Sequence, residues 1–288
     1  MGKGAAMTAF PDISGFESIY PGQPGYVRHE LAGHALFTLD ALVALAGRMH
    51  PTDVEYNRGD LPLGIDFNAV PGNGLSIADT IRGIEENGSW MVMKFVEQDP
   101  LYRELLEATL AELDAAIRAK TGPMLKQEAF IFISSPNSVT PLHFDPEHNI
   151  LLQLRGAKSM TVFPADDEEI APPDAHERLH SGEGHRNLPW DPRYADRGKR
   201  FDLQSGDGIH VPLMAPHWVQ NGPYVSISFS VTWRSALSYA EAEARGMNAM
   251  LRRRGLNPAS PAPFPAKNLI KSTAFRAVRK VTTIIGRR

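Results

Sequence analysis

The stretch Pro141-Leu142-His143-Phe144-Asp145-Pro146-Glu147-His148-Asn149 decides how the rest of the chain is read. An imidazole and a carboxylate stand two residues apart in it, so in an extended segment both leave the same face. A second stretch, Gly206 to Asn221, ends in Pro216-His217-Trp218-Val219-Gln220-Asn221 and offers another histidine. If neighbouring strands bring them together, His143, Asp145 and His217 make a face of two imidazoles and one carboxylate. Three coordination positions opposite that face stay open, which suits a non-haem Fe(II) that must take further ligands.

Working outward from this stretch, the hydrophobic period is that of strands. Ala129 to Ser134, Thr140 to Asp145, Ile150 to Arg155, Ser159 to Phe163, Gly208 to Val211, His217 to Val219 and Tyr224 to Trp233 are short apolar runs separated by Pro, Gly, Asn or Asp. Strands so short and so closely spaced predict an antiparallel sandwich or small barrel. In Val225 to Val231 the alternation is clean, which sends Ser226, Ser228 and Ser230 to one face, expected toward a pocket, and the apolar residues beneath helices. A long polar insertion, 166–200, interrupts the strands and is expected to lie at the surface with His176, His180 and His185.

Before the strands the pattern is mainly helical. Residues 1–25 are rich in Gly and Pro and predict an irregular N-terminus. From Val27 to Arg48, apolar residues at steps of three and four predict a helix. Ser76-Ile77-Ala78-Asp79 predicts a capping box, with Gly88 closing its helix. Trp90 to Val96 is a predicted strand, and Asp99-Pro100 opens a helix running to Gly122. The expectation is a helical region, 26–125, packed on the outside of a barrel, 126–234. A helix over 235–254, a Pro-rich linker over 257–266 and a final amphipathic helix carrying Ile270, Ala274, Val278, Val281 and Ile285 follow.

With 288 residues, 42% of them hydrophobic, the chain can bury one elaborated core. It has no cysteine, so a metal must be held by His, Asp or Glu, and disulfides are excluded. Met1 to Gly25 lacks a charged region followed by an apolar run, and no stretch approaches eighteen apolar residues, so a cytoplasmic protein without a membrane span is expected. After Glu243 there is no acidic residue, while Arg245, Arg252, Arg253, Arg254, Lys267, Lys271, Arg276, Arg279, Lys280, Arg287 and Arg288 are basic. The remainder holds 19 basic against 33 acidic residues, a net of −14. The acidic body argues against nucleic acid as the partner, whereas the basic tail leaves it open. A basic tail beside such a body predicts a helix that docks on it, or a dimer helix.

The run from His143 through Asn149, then Leu152-Gln153-Leu154-Arg155-Gly156-Ala157-Lys158 and Val162-Phe163-Pro164, resembles the cupin-like JmjC branch of the 2-oxoglutarate oxygenases. The likeness is to the hypoxia-pathway asparaginyl hydroxylase and its bacterial relatives. Gly206-Asp207 through Pro212 to His217 and Asn221 is similar to the second cupin motif, with Met214 where that motif usually has glycine. The resemblance covers roughly 130–233. It implies a double-stranded β-helix, a jelly-roll or cupin barrel, with a helical N-terminal region and C-terminal helices. It also implies Fe(II), 2-oxoglutarate and O2 as cofactor and co-substrates, with succinate and CO2 released as an unactivated C–H bond is hydroxylated, or a methyl group removed from nitrogen.

By the same resemblance Lys158 pairs with the distal carboxylate of 2-oxoglutarate, and Thr140 donates a hydroxyl to it. Asn149 contacts the co-substrate or orders the pocket, and Asn221 belongs with this group. The substrate class implied is a protein or peptide side chain, with a small molecule as the rival inside the same chemistry. A metal-binding cupin without oxidative activity, or a ligand-sensing regulator on the same fold, is the reading from a different class. Of the other histidines, His29, His34, His148 and His210 are expected to be structural or surface residues.

Overall fold

The computed structural model describes residues 8–66, 69–262 and 264–285, with 281–285 described by backbone only. Residues 1–7 of the irregular N-terminus, Pro263 of the linker, the side chains of Val281 and Ile285, and Arg287 and Arg288 lie outside the described residues. In chain order the strands are β1 (Gly25–Arg28), β2 (Val54–Arg58), β3 (Ser89–Lys94), β4 (Leu125–Ser134), β5 (Val139–His143) and β6 (His148–Arg155). They continue with β7 (Lys158–Val162), β8 (Lys199–Leu203), β9 (Asp207–Val211), β10 (His217–Asn221) and β11 (Ser226–Arg234). The helices are α1 (Ser14–Ile19), α2 (Leu39–Ala46), α3 (Ile77–Arg82), α4 (Pro100–Ala111), α5 (Asp114–Thr121), α6 (Pro173–Ser181), α7 (Ala236–Arg252) and α8 (Leu269–Ile285).

Two antiparallel sheets face each other. The larger has seven strands in the order β1-β9-β6-β11-β4-β3-β2, and the smaller four, β5-β10-β7-β8. Side-chain alternation sorts the apolar residues into three layers. Leu151, Met160, Val162, Phe201, Leu203, Ile209, Val211 and Val219 fill the space between the sheets. On the outer face of the large sheet Ile150, Leu152, Ile227, Phe229, Val231 and Trp233 pack under Leu42 and Leu45 of α2 and Leu106 and Leu110 of α4. Outside the small sheet Leu142 and Phe144 pack with Ile170, Ala175, Leu188 and Tyr194. The chain is thus a jelly-roll barrel of two facing antiparallel sheets, clad by helices on one side and by the insertion on the other.

Several local expectations change. The stretch 27–48 is not one helix: β1 pairs with β9, a loop and a single 3-10 turn follow, and only Leu39–Ala46 is α-helical, capped by the Thr38 hydroxyl. Its three-and-four spacing arises across a strand, a turn and a short helix that all face one core, and β2 adds a further N-terminal strand. The helix after Ser76 ends at Arg82, with Gly83 rather than Gly88 at its C-cap. The helix opened by Asp99 and Pro100 breaks at Glu112 and Leu113 into α4 and α5. The insertion holds its own helix, α6, and ends in the edge strand β8, so it is a packed layer rather than a surface loop.

The basic tail docks within the chain. Phe275 of α8 lies over Gly246 of α7, Arg276 faces Glu243 at 3.4 Å, and Arg252 reaches Glu177 of α6 at 2.7 Å. Among the described residues no helix is long and apolar enough to cross a membrane.

One glycine ties the barrel's shape to the site. Gly156 turns β6 into β7 with φ +71°, and a Cβ there would lie 2.3 Å from the Val225 carbonyl oxygen. Left-handed backbone and a fixed main-chain neighbour both oppose a side chain. Gly156→Ala is expected to lower unfolding free energy by about 1–3 kcal/mol, measured by urea denaturation; a change under about 0.5 kcal/mol, the size of an ordinary surface substitution, would contradict this account.

Candidate metal centre

The site is built by strand register. β10 lies between β5 and β7, with His217 opposite His143 on one side and Val162 on the other. Cross-strand partners share a face, so both imidazoles point between the sheets. A bulge shifts the register so that Val219 stands opposite Thr140, which turns Thr140 to the same face as His143 although they are three positions apart. β5 ends at His143, but the alternation carries on: Phe144 points outward into the insertion's core and Asp145 inward.

Main-chain bonds hold this end of the chain. The Phe144 N–H donates to Arg186 O at 3.2 Å, the Leu188 N–H to Leu142 O at 2.8 Å, and the Met214 N–H to Asp145 O at 2.9 Å. On the rest of this edge the Val139 and Leu142 N–H groups donate to Gly59 O and Leu63 O. An edge strand that would otherwise expose unpaired donors is covered by two loops.

The three side chains converge. His143, Asp145 and His217 bring one ligand atom each within 4.8 Å of one another, and among the described residues no other set of three or more His, Asp or Glu does so. Asp145 Oδ2 is 3.6 Å from His217 Nε2 and 3.9 Å from His143 Nε2. His143 Nδ1 donates to Pro141 O at 2.8 Å, and His217 Nδ1 to Ala215 O at 2.9 Å. A carbonyl can only accept, so each Nδ1 carries the proton and each Nε2 keeps its lone pair for a metal. Burial, followed by the neighbouring His217 imidazole, lowers the His143 pKa and keeps that ring neutral. Burial alone would raise Asp145, but Arg186, His143 and His217 outweigh it and hold the carboxylate ionised. The donor set, its tautomers and its charge all fit a divalent cation of borderline softness such as Fe(II).

The other expected site residues also face the space between the sheets, Thr140, Lys158 and Asn221 from the small sheet and Asn149 from the large one. β7 runs beside β10 so that Lys158 stands opposite Asn221, four residues from His217. At the strand rise this is about 13 Å along the barrel. Lys158 is buried, and burial alone pushes its pKa down to about 7 with no carboxylate offsetting it. Asn221 donates from Nδ2 to Ser138 O and Oγ, and its Oδ1 is buried without a partner. Thr140 Oγ1 accepts from Trp90 Nε1 at 3.1 Å, which leaves its own proton to donate. Asn149 Oδ1 accepts from Ser230 Oγ at 2.7 Å. Ser226 and Ser228 bond both ends of the Gln153 amide, so the serine face of β11 lines the interior while its apolar face meets the helices.

The remaining histidines do not join. His148 stacks on Trp233 and bonds Ser235 Oγ; His210 bonds Gln23 O; His29 bonds main-chain oxygens of Gln153 and Asp207. His34 caps the 3-10 turn with its ring nitrogen. Within the insertion only His185 is exposed, whereas His180 is half-buried and His176 is buried against Phe144.

One member of the site was not anticipated. Arg186, in the insertion, places Nη1 2.5 Å from Asp145 Oδ1, the oxygen turned away from the histidines. The main-chain pairing of 186–188 with β5 delivers it there, which leaves Oδ2 facing the imidazoles. Nothing local in the sequence marks it, since its partner is 41 residues away. Glu147 and Arg234 stand at the rim 3.5 Å apart.

A family model described as Cupin-like domain matches residues 85–238. An X-ray structure of E. coli ycfD is similar with a TM-score of 0.55 at 17% identity, over 97% of this chain and 69% of that one. A crystal structure of the Escherichia coli ribosomal oxygenase YcfD gives 0.52 at 15% identity, over 97% and 68%. At these identities the likeness is one of fold. No curated protein matches the chain.

If Arg186 sets the Asp145 rotamer, Arg186→Gln is expected to weaken Co(II) binding about 10–100-fold, the range for partners of metal ligands. Anaerobic titration of the Co(II) visible spectrum measures it. An unchanged affinity would show that the ion pair does not orient the carboxylate.

Proposed function

Since the chain belongs to the Cupin-like domain family, we propose that it is an Fe(II)- and 2-oxoglutarate-dependent oxygenase whose metal is held by His143 Nε2, Asp145 Oδ2 and His217 Nε2. The observation that carries this reading is the pairing of that three-donor face with a buried, uncompensated ammonium below it. A barrel that only stored a metal would have no use for Lys158 at that depth. An isolated buried charge costs several kcal/mol unless a partner arrives, and a dicarboxylate chelating the metal at one end supplies the partner at the other.

In this reading Lys158 pairs with the distal carboxylate and Thr140 donates its hydroxyl to the same group. Asn221 and Asn149 hold the walls through Ser138 and Ser230. The bound metal, with 2-oxoglutarate and O2, supplies the oxidising power to hydroxylate a C–H bond, releasing succinate and CO2. The chain's own contribution is orientation and exclusion of water, and no side chain is required as a general base.

We read the substrate as a protein or peptide side chain in the cytoplasm, supported by the likeness in fold to a ribosomal oxygenase. Leu269 and Ile270 stay exposed at the start of α8 and supply a face for homodimer formation.

Lys158 gives the reading a pH signature. Its pKa is about 7 in the folded chain and 10.5 ordinarily. Between these values the unfolded chain binds a proton that the folded chain does not, so this residue makes stability rise with pH across that window. A dicarboxylate restores the ammonium. At pH 8, 2-oxoglutarate binding to the Co(II) form is expected to take up about one proton, read as calorimetric heats that differ between buffers of unlike ionisation enthalpy. The uptake should vanish in Lys158→Met; equal heats for the wild type would refute the assignment. Succinate formation from 2-oxoglutarate and O2 by the Fe(II) form tests the activity itself. No turnover with metal and co-substrate both bound would favour a non-oxidative cupin.

A further inference from the structure

We propose that Arg186 selects the substrate at the mouth of the metal centre, and that it selects a carboxylate, so that the side chain brought to the metal is acidic, aspartyl or glutamyl. This rests on the oxygenase reading above and adds to it the chemistry of the substrate side chain.

Arg186 is placed to touch a substrate. Its guanidinium lies 2.5 Å from Asp145 Oδ1, yet 49% of the side chain is exposed, against 15% for Asp145. Among the described residues Asp145 is the one acceptor that its side chain bonds, through Nη1 alone. A guanidinium carries five N–H donors in a planar fork, so most of them remain unspent. They are accessible, and they stand one side chain away from the metal. The main chain on either side, Phe144 N–H to Arg186 O and Leu188 N–H to Leu142 O, fixes the base of the side chain. The fork is therefore held in place before a substrate arrives.

The charges around it decide what it takes. Lys94 stands opposite Phe130 and Phe130 opposite Ser230, whose hydroxyl meets Asn149 between the sheets, so Lys94 faces the interior. Its partner there is Glu55 at 2.6 Å. On the same face of β4, Glu128 is paired with Lys126 at 3.0 Å, and at the rim Glu147 is paired with Arg234 at 3.5 Å. Each of these three carboxylates thus has a cation of its own. Arg186 has only Asp145, whose charge is shared with the metal once one is bound. A divalent metal, Asp145, dianionic 2-oxoglutarate and the Lys158 ammonium sum to zero, which leaves Arg186 as the surplus cation among these groups. A lysine or arginine side chain finds no unshared carboxylate here, and a neutral amide leaves the surplus charge unmet. A carboxylate neutralises it and accepts two parallel N–H bonds from the fork. The C–H bond offered to the metal is then one beside that carboxylate.

The test is binding of the full chain, loaded with Co(II) and 2-oxoglutarate, to arrayed peptides of mixed flanking sequence whose central residue is Asp, Glu, Asn, Gln, Lys, Arg or Ala. Peptides centred on Asp or Glu are expected to bind at least about tenfold more tightly than the same peptides centred on Asn or Gln, the scale of a charge-assisted pair. In Arg186→Gln that preference should vanish. The variant is measured at Co(II) concentrations that saturate its visible spectrum, so weaker metal binding cannot imitate the loss, and saturation shows that the site is folded. If 2-oxoglutarate does not bind the Co(II) form, the oxygenase reading falls and this proposal with it. With 2-oxoglutarate bound, equal binding of all peptides, a preference for Lys, Arg or the amides, or an acidic preference that survives in Arg186→Gln would overturn the proposal alone.

Discussion

Everything at the metal centre depends on the register among β5, β10 and β7. A slip of one residue in an antiparallel pair turns every side chain to the opposite face. Here it would send His217 toward the insertion, bury Trp218 between the sheets and swing Lys158 out of the barrel. The register is over-determined. His217 is paired on both sides, the bulge on the β5 side absorbs the extra residue between Thr140 and His143, and Gly156 sets the β6–β7 turn where no other residue fits. The two histidines are then finished locally, each by a bond from its own Nδ1 to a carbonyl two residues earlier. The metal face is therefore prepared by backbone pairing, before any metal contributes.

The interior of the barrel is unusual for a core. Leu151 and Val211 of the large sheet and Val219 of the small one are apolar, while β11 contributes a row of serines satisfied by Gln153 and Asn149. Satisfied polar groups cost little, and they give a charged guest polar neighbours. Lys158 is an exception, since no described residue compensates it, and the unpartnered Asn221 Oδ1 opposite it is another. Such a group is tolerated when function requires it. Outside the small sheet, the insertion acts as a third layer that both packs on Phe144 and brings Arg186 to Asp145. The layer that shields the site also tunes its carboxylate.

The strands around the two motifs were legible because each is short, apolar and bounded by Gly, Pro, Asn or Asp, and because a period of two leaves little choice of face. The convergence of His143, Asp145 and His217 could be anticipated from two-residue spacing and the need for a distant imidazole. The N-terminal third is less legible. β1 is only four residues long, and with α2 it shares a core whose contacts mimic a continuous helical stripe from Val27 to Ala46. Glu112 and Leu113 break a helix without Pro or Gly to announce it. Arg186 and the burial of His176 depend on packing across more than thirty residues, and a polar, Pro- and Gly-rich insertion carries no periodic signal of that packing.

The central claim is that one face of three donors and one buried ammonium together hold a chelating dicarboxylate. Anaerobic addition of Fe(II) and 2-oxoglutarate to the full chain tests it most directly, by the weak visible metal-to-ligand charge-transfer band of a bidentate 2-oxo acid. The account predicts a band in the wild type, none in Asp145→Ala, and a band requiring much higher 2-oxoglutarate in Lys158→Ala. Iron bound without any band, or a band indifferent to Lys158, would contradict it.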